Sequence, residues 1–143
     1  MKVNIEEFRR QFEFINEQKH PTLDLIIWNY SQRCQFAKEW NAYTEMCRGL
    51  ITDSEGNIVA RPFRKFFNWG ERDVNIPEEM PEVTEKVDGS MGILYFDGER
   101  PYIATRGSFK SEQALHATEL IQKSGLTKKD FIDGKTYIFE IIY

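Results

Sequence analysis

The run Thr84-Glu85-Lys86-Val87-Asp88-Gly89-Ser90 combines a lysine, flanking acids and a tight glycine turn, the most informative stretch of the chain. A lysine at its reference pKa of about 10.4 is a cation, so attack by Lys86 requires a site that depresses that value or removes a proton. Gly89 would let the backbone approach a bound phosphate or nucleotide closely. Taken alone, Lys-x-Asp-Gly has one free position in four, occurs often, and on spacing reads first as a solvated β-turn.

Three other segments carry groups of the right kind. Cys47-Arg48-Gly49-Leu50 sets an arginine at the start of an apolar run, and Arg61-Pro62-Phe63-Arg64-Lys65-Phe66-Phe67-Asn68 interleaves cations with aromatics. Guanidinium and ammonium groups together suit a polyphosphate. Thr105-Arg106-Gly107-Ser108 adds a cation and a glycine, and Phe139-Glu140 an acid able to accept from a ribose hydroxyl beside a ring able to cover a base. Singly, Arg48 reads as a surface charge, the rings as core and Glu140 as an exposed strand residue; their joint occurrence is harder to set aside.

These residues need strand ends to hold them. Asn4 and Glu7 have capping-box spacing, and Ile5, Phe8, Phe12 and Ile15 recur at helical intervals, so the spacing predicts a helix over 5–18 ended by His20-Pro21. Leu23 to Tyr30, Met46 to Thr52, Ile58 to Phe63, Val83 to Lys86, Met91 to Phe96 and Tyr102 to Thr105 read as strands, with Asp53 to Asn57 and Asp97 to Pro101 as hairpin loops. Ser111 to Ser124 reads as a helix stopped by Gly125, Lys128 to Ile132 as a short helical piece and Lys135 to Tyr143 as a strand. The sum is an α+β chain of consecutive antiparallel hairpins, with a break at Ile76 to Pro81.

The chain has 143 residues, one domain's worth. Its 19 basic and 23 acidic side chains leave a net charge of −4, which excludes a generally basic nucleic-acid coat while allowing a local basic site. With 41% hydrophobic and 29% charged residues it is a globular rather than a disordered composition. Uncharged runs end at the length of Leu25 to Gln32, far short of a bilayer span, and Met1 to Glu7 lacks a signal peptide's apolar run, so no membrane role and a cytoplasmic location are expected. Cys34 and Cys47 have neither CxxC nor zinc-ligand spacing and read as buried thiols.

From Leu25 to Tyr143 the sequence resembles the covalent nucleotidyltransferases, and within them the phage-type ATP-dependent RNA ligase 1 family and the ligase domain of tRNA ligases. Lys86 to Ser90 resembles the nucleotidyl motif. Arg48-Gly49, Lys65-Phe66-Phe67-Asn68, Thr105-Arg106-Gly107-Ser108-Phe109-Lys110-Ser111-Glu112-Gln113-Ala114 and Phe139-Glu140 follow in that family's order. The resemblance implies an antiparallel-sheet adenylyltransferase domain in which Lys86 attacks the ATP α-phosphate to give lysyl-AMP. Arg48, Lys65 and Arg106, the last where other members can have lysine, would bind phosphates. Phe67 would support the pocket, Glu85, Asp88, Gly89 and Ser90 would shape the site, and Glu140 would take the ribose. ATP and Mg²⁺ are the implied cofactors, with no metal ligands assigned; RNA bearing 5′-phosphate and 3′-hydroxyl ends, tRNA among them, is the implied partner of a protein monomeric at full length.

The family's later acid-glycine and lysine motifs do not occur before Tyr143. Residues 1–143 are therefore expected to form the N-terminal portion of one adenylyltransferase domain, truncated at its C-terminus and inactive alone. A DNA ligase or capping-type nucleotidyltransferase shares the lysine motif but not the Lys65 to Asn68 and Lys110 to Gln113 matches. A non-catalytic nucleotide- or RNA-binding module would use the same cations and rings.

Overall fold

The computed structural model describes residues 1–143 as four layers: helices, sheet, sheet, helix. The first sheet runs in the order β1 (Ile15–Lys19), β2 (Ile26–Tyr30), β3 (Arg48–Thr52) and β4 (Ile58–Ala60), all antiparallel. The second has β5 (Ser90–Asp97) at its centre, between β6 (Arg100–Thr105) and β7 (Ile138–Ile141). Helices α1 (Ile5–Arg10) and α3 (Ala42–Met46) cover the outer face of the first sheet, α2 (Gln32–Ala37) follows β2, and α4 (Glu112–Lys123) covers the second sheet. No helix is long and apolar enough to cross a membrane.

Three apolar layers follow from strand alternation. Phe8, Ile26, Trp28 and Leu50 fill the space under α1 and α3. Ile27, Ile51, Ile93, Tyr95, Ala104 and Phe109 fill the space between the sheets, and Leu94, Ile103, Ile121 and Ile141 lie under α4. Trp28 is fully buried, meets the Phe8 ring edge-on at 5.1 Å and donates from Nε1 to Thr52 Oγ1 at 2.9 Å, so its one polar atom is satisfied. Removing such a side chain typically costs about 3–5 kcal/mol. Cys34 and Cys47 are buried free thiols, as expected, and burial pushes both thiol pKa values up.

The α+β class, the β5–β6 hairpin and α4 match the expectation; α2 and α3 answer to no expected element, and three expected elements differ. The predicted helix over 5–18 ends at Arg10: Phe12 finds no core and stays exposed, while Ile15 to Lys19 pair with β2 as β1. As an edge strand β1 is paired on one side only, along its whole length, and that tertiary pairing overrides local periodicity there. Val83 to Lys86 form no strand, because β5 is already paired on both sides by β6 and β7, and the whole stretch 61–89 lacks helix or strand. Lys86 therefore precedes the central strand on an irregular segment instead of ending a strand. Finally, β4 stops at Ala60, before Arg61-Pro62, where proline excludes ladder pairing, and the Arg61 N–H donates to Thr136 Oγ1.

One irregularity aims a side chain. Trp28 pairs with Leu50 but Asn29 pairs with Arg48, so Gly49 is an extra residue, at φ +86°, in a glycine bulge. Without it Arg48 would share the outer face with Leu50; with it, Arg48 shares the inner face with Asn29 and Ile27. A Cβ on Gly49 would also lie 2.5 Å from Ile93 Cδ1 of the opposite sheet. Gly49→Ala should lower unfolding free energy by about 2–3 kcal/mol, from left-handed strain plus overpacking, read as a fall in the urea midpoint at unchanged m-value.

His20 closes one end of the inter-sheet layer. Its Nδ1 accepts N–H bonds from Thr22 and Leu23 at 3.1 and 3.0 Å, so the proton sits on Nε2, which donates to Tyr95 Oη at 3.1 Å. Burial lowers its pKa, with Asp97 opposing weakly. The folded form thus holds neutral imidazole, and the unfolded chain binds more protons as pH falls below about 6.5. Stability contributed by neutral His20 should be complete above that pH and lost below it; urea midpoints at pH 7.5 and 5.5 should converge in His20→Phe relative to the natural chain.

Candidate functional site

A cleft of about 770 Å³ opens where the two sheets' inner faces change from apolar to polar. Two residues along the chain make the change from Ile27 to Asn29 in β2 and from Ala104 to Arg106 just past β6, and Glu140 of β7 joins them on the cleft wall. The Gly49 bulge does the same for β3, bringing Arg48 into the cleft. Arg48 lies 5.2 Å from the Phe66 ring centroid and reaches Met91 Sδ at 3.7 Å. Met91 is the cross-strand partner of Glu140, which sets the Arg48 guanidinium and the Glu140 carboxylate on one face.

Arg106 donates from Nη1 to Tyr30 Oη at 2.9 Å, with its guanidinium over the same ring. The turn bearing it is tied to α4: Thr105 Oγ1 lies 2.8 Å from Ser111 Oγ, and that hydroxyl also caps the helix by accepting from the Ala114 N–H. Gln113, in the helix's first turn, lines the cleft as well.

Lys86 stands at the rim, its side chain 87% exposed, donating to Asp88 Oδ1 at 3.0 Å. Asp88, and more weakly Glu140, raise its pKa above the ordinary value. In this arrangement Lys86 is a protonated amine, and an attacking one has to leave Asp88 and lose its proton. Gly89 and Ser90 follow on the cleft wall. The space Gly89 leaves is taken by the chain itself, since a Cβ there would fall inside contact distance of the Ile141 carbonyl oxygen. That close approach to β7 gives the glycine a structural reason separate from phosphate.

Lys65 and Phe67 stand one layer behind the cleft. The Lys65 ammonium sits among Phe67, Trp40 and Tyr30, at 5.1, 5.2 and 6.0 Å from their centroids, and Tyr30 joins this box to Arg106. Glu85 is exposed and does not line this cleft; Asp88 touches the site only through Lys86. Among the sequence candidates, Arg48, Lys86, Gly89, Ser90, Arg106 and Glu140 share one cleft. Asn29, Tyr30, Trp40, Phe66 and Gln113 were not among the candidates. Asn29 had a signal, as the one polar amide in the apolar run 25–30, and its buried Oδ1 has no hydrogen-bond partner.

The cleft's size is that of small-molecule and cofactor sites, and its two guanidiniums, one ammonium, one carboxylate and exposed rings suit a nucleotide polyphosphate. No three His, Cys, Asp or Glu side chains gather as a metal cage. A Mg²⁺ ion here would rest mainly on ligand phosphates, with Glu140 the nearest carboxylate on the wall.

Residues 46–137 match the family model described as RNA ligase. The chain belongs to the phage-type RNA ligase 1 family. The match includes Arg48, Lys65, Phe67, Lys86 and Arg106 and stops before Glu140. An RNA ligase of Rhodothermus phage RM378 is 31% identical over 118 residues, covering 64% of this chain and 26% of its own length. RNA ligase 1 of Bacteriophage TS2126 is 36% identical over 74 residues, 43% of this chain and 18% of its own. The chain thus spans about a quarter or less of these curated relatives.

Replacing the carboxylate beside the family lysine gives a direct check on the site's charge. Asp88→Asn should lower the Lys86 pKa toward its ordinary value, measured by NMR titration of the labelled ammonium. Lack of movement would show that Asp88 does not hold the lysine protonated.

Proposed function

We propose that this protein is the nucleotide-binding and nucleotidyl-accepting part of an ATP-dependent RNA ligase, with Lys86 as nucleophile. The observation that carries the reading is the convergence of Lys86, Arg48, Arg106 and Glu140 on one cleft, from four separate stretches of chain. After losing its proton, the Lys86 amine forms a P–N bond to the ATP α-phosphorus. The bond to the bridging oxygen breaks, and pyrophosphate leaves with that electron pair.

Such a displacement is mostly positioning and charge neutralisation. Arg48, Arg106 and Lys65 neutralise phosphates, Phe67 backs Lys65, and Glu140 accepts from a ribose hydroxyl. Ser90 and Asp88 steer the lysine and the phosphate, and Gly89 keeps the chain close to β7. Mg²⁺, when bound, supplies further positive charge on the phosphates. An RNA 5′-phosphate oxygen then attacks the adenylate phosphorus, breaking the P–N bond and freeing Lys86, and a 3′-hydroxyl attacks the activated 5′-phosphorus as AMP leaves; broken tRNA in the cytoplasm is the substrate we infer. The chain spans so little of its relatives that the joining steps are proposed only for a protein of the relatives' length.

The raised pKa and exposure of Lys86 favour one other reading, a module that binds nucleotide or RNA without catalysis. Incubation with α-labelled ATP and Mg²⁺ separates the two. A protein-bound label that survives alkali and is released by acid, as a phosphoramidate is, should form on the natural protein and fall on the order of a hundredfold or more in Lys86→Ala. Lys86→Arg should fail equally, since guanidinium holds its proton. ATP binding without label would favour the binding module, and label persisting in Lys86→Ala would remove Lys86 as nucleophile.

A further inference from the structure

Lys65 is carried by a stretch that has no helix or strand of its own, yet its ammonium is held within an aromatic box. Something outside the stretch has to fix it. The ties lead to Glu45, near the end of α3. The Glu45 backbone carbonyl accepts the Lys65 N–H at 2.8 Å. Its carboxylate pairs with Arg64 through one oxygen and with Arg72 Nη1 through the other, the latter at 3.0 Å. Arg72 in turn lies over the Phe67 ring at 4.9 Å.

The Glu45 side chain is only 14% exposed, while its two partners are about half exposed or more, so it is the fixed member of the cluster. Helix α3 is itself pinned by a reciprocal cap: Asn41 Oδ1 accepts from Tyr43 and Thr44, and Thr44 Oγ1 accepts from the Asn41 N–H. Glu45 also stands three residues before Arg48. One carboxylate therefore ties the loop bearing Lys65 to the frame bearing Arg48.

We propose that Glu45 is a positioning residue for the polyphosphate side of the cleft, acting by clamping residues 64–72 so that Lys65 keeps its place relative to Arg48. The inference rests on the nucleotide-binding reading above. Neutralising the carboxylate leaves the backbone bond and removes both ion pairs, so the loop should loosen while α3 stays folded. The loss should be felt by a ligand with β- and γ-phosphates and not by one lacking them.

The test uses the full chain with Glu45→Gln, Arg64→Ala combined with Arg72→Ala, and all three together. Amide hydrogen exchange across 63–73 should quicken about tenfold in Glu45→Gln, with the protection of α4 unchanged. The Kd for ATP should rise about tenfold and that for AMP stay within about twofold, a split that general destabilisation would not produce. The double arginine variant should reproduce the effect, and adding Glu45→Gln to it should change little further. Unchanged exchange over 64–72, equal losses for ATP and AMP, or full additivity would each overturn the clamp. If the natural chain binds neither nucleotide, the nucleotide reading fails, and the exchange measurement still decides whether Glu45 holds the loop.

Discussion

The close approach of two sheets at Gly49 is the constraint from which the rest follows. On one side of that contact Ile27, Ile51 and Ile93 pack without polar atoms; on the other, one pleat further along, the same inner faces present Asn29, Arg48 and Met91. A bulge at the boundary is what turns β3 over without breaking its pairing to β2. Core and site are thus one layer read at two positions along the strands, and the apolar half fixes the geometry of the polar half.

Charge is sorted across the molecule in a way the net value of −4 conceals. Arg48, Arg106, Lys86 and Lys65 gather around the cleft and its aromatic backing, whereas Glu71, Asp73, Glu78, Glu79, Glu82 and Glu85 lie on the exposed segment that leads to Lys86. Rings separate the cations from one another: Phe66 beside Arg48, Tyr30 between Arg106 and Lys65. Faces of this kind offer each cation a partner that does not neutralise it, leaving the positive charge available to an anion.

Much of the fold was legible because strands here carry dense apolar runs and α4 has both a cap and a periodic face. Two of the misread elements share a cause. Residues 11–18 and 83–86 have acceptable local patterns for the wrong state, and only the presence or absence of a free neighbouring strand decides between them. In the site, Lys86, Arg48, Arg106 and Glu140 could be found from residue type beside glycine or aromatic neighbours. Glu45 could not, since an acid in a five-residue helix looks like any solvated charge until Arg64 and Arg72 are seen to fold back onto it. The reason for Gly89 was also hidden, being the passage of β7, which is fifty residues away in sequence.

Lys86 is tethered more than it is housed. Its side chain makes one hydrogen bond, to Asp88, and the first strand residue after it is Ser90. Four extended residues reach at most about 14 Å, so the amine is leashed within a small sphere whose centre is the end of β5. Inside such a sphere a group is present at an effective concentration of millimolar order or above whichever wall it faces. An amine mounted this way can visit both the cleft and its rim without any movement of the two sheets, and the leash length sets how far apart those two stations can be.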